Sequence, residues 1–239
     1  HKGDYVLVNK LPIKNNPGRN RVVLFHSPLK QDSLTRPLFV SRCIGMPGDT
    51  ITVHREGYKV NGQSIPRSPL TLNSYLVKQM DKKDFLVLLS KLNIPPRELE
   101  QTSKGFTLKL TSFEEYQLRE ELTNTIELVA NIPVTDYSLI VPRKNRFYQL
   151  DETSLIACKE AIMTETNGEA IFRDGKLYMD GREVSFFFFQ RDYYWVLSDN
   201  PEEAIDSRHL GFIPADYMIG NAWFCWYSKD RERIFKAIY

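Results

Sequence analysis

The sequence is poor in the side chains that bind transition metals or build disulfide frameworks. It contains only three cysteines, Cys43, Cys158 and Cys225, and four histidines. Structural zinc sites and redox motifs use closely spaced cysteines, whereas these three lie far apart in the chain. We therefore interpret them as buried thiols, with one disulfide left open as an alternative. Neither a metal nor any other cofactor is expected.

No charge of one sign dominates the chain. It has 32 Lys+Arg against 30 Asp+Glu, which gives a net charge of +2. Domains that bind nucleic acid carry a basic patch or stripe. The basic runs at residues 19–21 and 143–146 are short and isolated, which is typical of solvated turns. We therefore expect no nucleic-acid partner.

Long hydrophobic runs are absent as well. No stretch approaches the roughly 18 apolar residues that span a bilayer, and the first residues lack the pattern of a signal peptide. The longest apolar stretch, residues 184–189, has the length of a strand and contains Ser185. Because the chain starts at His1 without an initiator methionine, we expect the natural protein to continue upstream, where a membrane anchor would lie.

The sequence is rich in strand and turn signals at both ends. Short runs of β-branched and aromatic residues alternate there with Gly, Pro, Asn and Asp. The runs lie at residues 5–8, 22–25, 39–44, 50–54, 170–172, 177–179, 184–189, 193–197 and 222–227. The dipeptides Asn61-Gly62 and Asp180-Gly181 each predict a β-hairpin.

The middle of the chain has a different pattern. Apolar residues recur at helical spacing over residues 81–92 and 152–163. Residues 112–115, Ser-Phe-Glu-Glu, indicate a capping box that opens another helix. We predict a mainly β protein in which residues 1–69 and 137–239 form one barrel-like body of antiparallel sheets. Residues 70–136 are predicted to be an α+β insertion.

Aromatic runs in the second β block allow two interpretations. They lie at residues 186–189, 193–195 and 223–227. Because side chains alternate along a strand, we expect about half of each run in the core. The alternative is an exposed apolar surface that contacts a membrane.

Two long motifs carry the functional signal. Residues 39–51 read Phe-Val-Ser-Arg-Cys-Ile-Gly-Met-Pro-Gly-Asp-Thr-Ile, and residues 198–214 read Ser-Asp-Asn-Pro-Glu-Glu-Ala-Ile-Asp-Ser-Arg-His-Leu-Gly-Phe-Ile-Pro. The first resembles the segment Lys-Arg-x-x-Gly-x-Pro-Gly-Asp of the type I (leader) signal peptidases. The second is similar to that family's Gly-Asp-Asn-x-x-x-Ser-x-Asp-Ser-Arg-x-x-Gly-x-Val-Pro. With shorter matches, the resemblance covers roughly residues 1–66 and 137–239.

This resemblance implies a serine peptidase in which a desolvated, neutral lysine activates a serine. The nucleophilic serine would lie upstream of His1. The position of the lysine is Ser41, whose hydroxyl cannot serve as a general base near neutral pH. The serine that orients the lysine in the family is matched by Ala204. Both the base and its orienting group are therefore missing.

The resemblance also assigns supporting positions. Asp199, Asp206 and Arg208 match charged residues of the second motif, where an Asp-Arg pair on a turn can brace the site; we favour a purely structural ion pair as the interpretation of these three residues. Some relatives use histidine as the base. His209 follows the Asp206–Arg208 turn, but it does not lie at the base position, and we interpret it as a surface histidine.

Signal peptidases bind their peptide as an added β-strand, and by resemblance Phe39, Val40 and Ser41 would line one side of that groove. Our leading hypothesis is a catalytically silent member that binds signal peptides of preproteins at the extracytoplasmic face of the bacterial inner membrane, held by an anchor upstream of His1. The alternative is an active membrane-bound endopeptidase. A third hypothesis, a self-cleaving repressor, is disfavoured. Such proteins share the β core, but they lack the Asp-Ser-Arg motif that this chain has at residues 206–208, and they carry a helix-turn-helix unit that this sequence does not show.

Overall fold

The computed structural model describes residues 5–10, 17–29, 36–54, 57–65, 71–78, 80–122, 127–130, 136–199, 205–228 and 234–238. Strands predominate, as predicted. They are β1 (Tyr5–Asn9), β2 (Val22–His26), β3 (Leu38–Gly45), β4 (Thr50–His54), β5 (Gly57–Val60), β6 (Gln63–Ser64), β7 (Asn73–Lys78), β8 (Glu100–Thr102), β9 (Gly105–Leu110), β10 (Glu127–Ala130), β11 (Tyr137–Ile140), β12 (Arg146–Gln149), β13 (Ile171–Arg173), β14 (Lys176–Met179), β15 (Arg182–Val184), β16 (Phe186–Phe189), β17 (Tyr193–Leu197), β18 (Ile213–Pro214) and β19 (Met218–Tyr227). The helices are α1 (Lys82–Lys91), α2 (Ser112–Glu121), α3 (Glu152–Glu165) and the single turn α4 (Ser207–Leu210).

The largest sheet has six strands in the order β1-β19-β2-β3-β17-β18. All of its neighbouring strands are antiparallel. A second sheet has the order β11-β4-β5-β6, and the smaller sheets β12-β16 and β13-β14-β15 complete this part of the molecule. Closing a barrel would require the edge strands β1 and β18 to pair. They do not, so in the described chain the expected barrel-like body is a set of open antiparallel sheets.

Both predicted hairpins are present. Asn61 and Gly62 join β5 to β6 with φ values of 52° and 80°, and Asp180 and Gly181 join β14 to β15 with φ values of 50° and 74°. Two successive positive φ values are what a two-residue type I′ turn requires, and Asn, Asp and Gly reach them at the lowest cost. The local chemistry of these dipeptides therefore fixes the register of both hairpins.

The segment between β6 and β11 forms its own sheet, in the order β10-β7-β9-β8. α1 and α2 contribute Phe85, Leu89 and Leu118 to an apolar core whose described members all come from this segment. The extent of α1 matches the prediction, with Asp81 as its N-cap. The capping box of α2 is formed one residue earlier than predicted, because the hydroxyl of Thr111, not that of Ser112, accepts the Glu114 N–H. The division of the chain at residues 70 and 136 stays a prediction.

Aromatic side chains follow the expected alternation in one run and depart from it in another. In β16, Phe187 and Phe189 are buried while Phe186 and Phe188 are exposed. Every residue of β17 is buried, because core side chains cover both faces of this strand. The alternation rule fails there because it applies to sheets with one solvated face.

Candidate functional site

β3 brings the first motif into the middle of the largest sheet. Along residues 38–42 it pairs with β2, so that Ser41 lies opposite Val23. On its other side β17 pairs with Arg42, Cys43 and Gly45 but reaches no further towards the start of β3. The edge of Leu38–Ser41 that faces away from β2 therefore has no strand partner in the part of the chain that the structure describes.

Ser41 is enclosed by the apolar interior of the sheet. Its side chain lies on the same face as Val23 and Cys43, which are fully buried, and Ser41 itself is 3% exposed. Its hydroxyl oxygen has no hydrogen-bond partner within the described residues. Burial also raises the pKa of the nearby Cys43 thiol to about 12. This environment disfavours charge, which is the property that keeps a lysine neutral and basic.

Arg42, the next residue, points to the opposite face and pairs with Asp199. Its guanidinium donates from Nε to Oδ1 at 2.9 Å and from Nη2 to Oδ2 at 2.6 Å, and also to the carbonyl of Asn20 at 2.8 Å. The hydrogen bonds to Asp199 raise the pKa of Arg42 in spite of its burial. This bidentate pair ties the two motifs together beside Ser41.

Asp206 and Arg208 form a second pair, which shapes the turn after β17. The fully buried carboxylate of Asp206 accepts hydrogen bonds from the N–H groups of Ser198 and Arg208 and two from the Arg208 guanidinium. The hydroxyl of the next residue, Ser207, accepts a hydrogen bond from the Val196 N–H at 2.9 Å. These bonds hold the end of β17, and with it Asp199, in a fixed position.

The two glycines of the first motif have structural roles. A Cβ on Gly45 would lie 2.3 Å from the Ile51 side chain. Gly48 has a φ of 90° in a tight turn closed by the Asp49 N–H on the Met46 carbonyl at 2.9 Å. These contacts explain why both positions are glycine.

Asp49 joins three segments of the chain. Its carboxylate accepts hydrogen bonds from the Arg19 guanidinium at 2.6 and 3.1 Å, the Met46 N–H at 2.7 Å and the Asn61 amide at 2.8 Å. Burial alone would raise the pKa of Asp49, but these bonds outweigh it and the pKa falls below its ordinary value. Arg19, expected in a solvated turn, is thus part of this cluster.

The predicted peptide-binding residues differ in their accessibility. Val40 is exposed and lies opposite the half-buried Leu24 of β2, whereas Phe39 packs inward, with its ring centroid 6.2 Å from that of Phe25. Ser41 is buried. A peptide side chain laid along this edge would therefore meet Val40, while Phe39 and Ser41 would contribute only backbone atoms; Leu24 lies on β2, on the far side of Val40.

The structure brings Ser41, Arg42 and Asp199 together, with Asp206 and Arg208 bracing the same turn. Ala204 lies outside the described residues. His209 is exposed on α4, and its Nδ1 lies 3.9 Å from Oδ1 of Asp206. Sequence reasoning gave no role to Arg42 and Leu24. The Lys-Arg of the family motif is a signal for Arg42, whereas Leu24 becomes visible only through the β2–β3 register.

Other site types find no support in this part of the molecule. The described residues contain no group of three or more His, Cys, Asp or Glu side chains placed to hold a metal ion. All three cysteines are buried and unpaired. Among the helices that the structure describes, none is long and apolar enough to cross a membrane. Near the end of β19, Trp223 and Trp226 are exposed.

Comparison with known proteins gives one consistent result. A family model described as signal peptidase, peptidase S26, matches residues 1–148 and 157–227. The chain is 25% identical over 243 residues to signal peptidase I of Buchnera aphidicola subsp. Baizongia pistaciae (strain Bp), covering 94% of this chain and 64% of that protein. It is 23% identical to signal peptidase I of Buchnera aphidicola subsp. Schizaphis graminum (strain Sg), over 96% of this chain and 64% of the relative. Signal peptidase I of Aquifex aeolicus (strain VF5) is 25% identical over 95% of this chain and 70% of its own length. The chain thus spans less than two thirds of the length of the two Buchnera proteins.

Proposed function

Because the chain belongs to the signal peptidase family, peptidase S26, we propose that it binds the signal peptides of exported preproteins as an added β-strand without cleaving them. The unpaired edge of Leu38–Ser41 is the observation that carries this proposal. A strand edge offers backbone donors and acceptors to any extended peptide, and the neighbouring side chains then select among sequences. Exposed Val40, next to this edge, provides an apolar contact for that selection.

Catalytic silence is proposed on chemical grounds. The family's lysine position is Ser41, which has no titratable nitrogen, and the family's orienting serine is matched by Ala204. Loss of a general base typically slows a reaction by about 10²- to 10⁴-fold. We place the protein at the extracytoplasmic face of the bacterial inner membrane, anchored by a segment that precedes His1.

An active endopeptidase is the second candidate, because the supporting framework is intact. The Arg42–Asp199 and Asp206–Arg208 pairs are both formed. In this case the nucleophile would come from the part of the protein that precedes His1, and another base would replace the lysine. Incubation of the protein, carrying its native N-terminus, with a labelled preprotein separates the candidates. We expect no product, whereas cleavage that depends on an upstream serine would overturn the silent assignment.

Peptide binding is tested with a fluorescent peptide that contains the last residues of a signal sequence. We expect Val40→Asp to weaken binding by roughly tenfold, because it places a carboxylate against an apolar peptide side chain. Ile171→Asp is the matched control, since Ile171 is 59% exposed on β13 and Val40 is 51% exposed on β3. A peptide with N-methylated backbone amides should bind poorly, because it cannot donate to the strand edge. Equal affinity of the N-methylated and the unmodified peptide would contradict strand addition.

A further inference from the structure

A cleft of about 340 Å³ lies where the turn after β3 meets the beginning of β12. Its lining consists of Gly48, Ile140, Val141, Arg143, Arg146, Phe147 and Tyr148. Gly48 follows the last residue of β3, whereas the unpaired edge of Leu38–Ser41 belongs to the beginning of that strand. The cleft is therefore distinct from the proposed peptide-binding edge.

The floor of the cleft is apolar, and its polar groups bond within the protein. The Gly48 N–H donates to the Val141 carbonyl at 2.9 Å, and the Val141 N–H donates to the Asp49 carbonyl at 2.8 Å. The hydroxyl of Tyr148 is engaged by Cys158 and by the backbone of Ile140. Val141 and Tyr148 are both buried. A ligand on this floor would therefore meet apolar side chains and a backbone that strand and turn bonds hold in place.

Two arginines bring positive charge to this cleft. The stem of Arg143 crosses the turn, since its Cδ lies 3.6 Å from the place that a Cβ on Gly48 would take. In the part of the chain that the structure describes, neither Arg143 nor Arg146 has a hydrogen bond or an ion pair through its guanidinium. Other arginines of the described chain are bound to carboxylates, among them Arg19, Arg42, Arg97 and Arg208. The two guanidinium groups at the cleft thus keep their donors available.

We propose that this cleft binds a small organic anion, with a carboxylate or phosphate head on an apolar body of about one ring. Guanidinium groups bind both kinds of head in a bidentate manner, and the body would leave water for the apolar floor. The volume is at the lower end of the range of small-molecule sites, about 300–1,000 Å³, which favours a small ligand over a polypeptide. This inference does not depend on the proposed peptide-binding function.

Titration calorimetry with four small probes tests the proposal. Benzoate and phenyl phosphate carry the two kinds of head on the same ring, benzamide replaces the charged head by a neutral one, and acetate lacks the ring. We expect benzamide to bind at least tenfold more weakly than the tighter of the two ring anions, because it loses charge-assisted hydrogen bonds to the arginines. Acetate should also be weaker by at least tenfold, because it buries no ring. Binding of either ring anion supports the proposal, and the tighter one identifies the head.

Variants of the two arginines locate the site. Arg143→Gln and Arg146→Gln should each weaken binding of the ring anion by roughly tenfold, because each removes one charged donor. The matched control is Lys144→Gln, which removes a positive charge from the same turn. Lys144 is not among the residues that line the cleft, and its backbone N–H donates to Asp192, so this variant should bind as wild type does. Circular dichroism verifies that each variant is folded.

Three outcomes would overturn the proposal. Benzamide could bind as tightly as the ring anions, or acetate could match them, which would indicate apolar adsorption or unspecific ion binding. Lys144→Gln could cost as much affinity as Arg143→Gln, which would indicate a response to net charge alone. All three variants should bind the signal-sequence peptide as wild type does, so a failure of this proposal is distinguishable from a failure of the proposed function.

Discussion

The hydroxyl of Ser41 lies among apolar side chains, and no described group forms a hydrogen bond with it. Charge at this position is costly, as the raised pKa of the neighbouring Cys43 thiol indicates. An amine introduced here would lose its hydration, and its pKa would fall well below the value of about 10.4 for an exposed lysine. The scaffold therefore still offers the environment that a general-base lysine needs.

We predict that Ser41→Lys gives a protein whose stability increases with pH. Between the depressed folded pKa and the unfolded pKa of about 10.4, the unfolded state holds one more proton, so the free energy of unfolding rises by up to about 1.4 kcal/mol per pH unit. Below the folded pKa both states are protonated and the slope disappears. Urea unfolding at pH 6 and pH 9 measures the effect.

Ser64→Lys is the control for this prediction, because Ser64 is exposed on β6 and its lysine should titrate normally in both states. Equal pH dependence of the two variants would contradict the burial argument. The double change Ser41→Lys with Ala204→Ser, in the protein with its native N-terminus, then tests function: appearance of cleavage would support a silent scaffold that lost only its base and the group that orients it.

Some of these residues can be predicted from the sequence and others cannot, for a physical reason. Ser41 and Asp199 were identified because short motifs surround them. The bond between Arg42 and Asp199 joins positions 157 residues apart, and no local pattern encodes such a pairing. The accessibility of Val40 and the burial of Ser41 depend on which side of β3 faces the core, and that follows only from strand pairing.

At the scale of the element, the one-turn helix α4 is held by its N-cap. Asp206 is fully buried and accepts bonds from two backbone N–H groups and from the Arg208 guanidinium. Asp81, the N-cap of α1, is exposed and accepts one bond, from the Lys83 N–H at 2.8 Å. The same residue type at the same helix position thus has two different environments.

We predict that Asp206→Ala lowers the free energy of unfolding by about 3 kcal/mol or more, because it leaves buried donors and a partly buried cation without an acceptor. Asp81→Ala should cost about 1 kcal/mol, the usual value for an exposed cap. Asp206→Ala should also weaken peptide binding, since it releases the end of β17 beside Asp199. Equal losses of stability in the two variants would show that the buried network adds nothing to ordinary capping.

Elements were predicted best where local chemistry decides their ends. Asn61-Gly62 and Asp180-Gly181 fixed two hairpins, and Asp81 marked the start of α1. The error at α2 arose because Thr111 and Ser112 both precede glutamates at the right spacing, so the sequence alone does not choose between them. The strands of the middle segment were not located. A short turn at Ser103 and Lys104 joins β8 to β9, but β7 and β10 are defined by their pairing with distant residues and not by local turns.

At the scale of the whole molecule, the buried side chains divide into separate cores. One lies between α3 and the strands around it, a second lies under the six-stranded sheet, and the third belongs to the middle segment. The two ends of that segment return to one sheet. The Ile65 N–H donates to the Tyr58 carbonyl of β5. Tyr58 pairs with Val53 of β4, and Val53 pairs with Tyr137 of β11. The two ends of the segment are therefore three strand spacings apart, a distance of about 15 Å.

We predict that residues 66–135 can be replaced by an eight-residue Gly-Ser linker without loss of the remaining fold. Such a linker has a mean end-to-end distance of about 16 Å, which matches the gap. The replacement removes the hydrogen bond from the Leu72 N–H to the Asp199 carbonyl at 3.2 Å, but it leaves the Arg42–Asp199 pair in place, so peptide binding should weaken only slightly. Thermal unfolding should stay cooperative.

Replacement of α3 by the same linker is the control and should abolish folding, because α3 supplies Leu155, Ala161 and Ile162 to its core. If the shortened chain instead aggregates or melts without a transition, the middle segment is part of the structural body, and the predicted insertion boundaries at residues 70 and 136 are wrong.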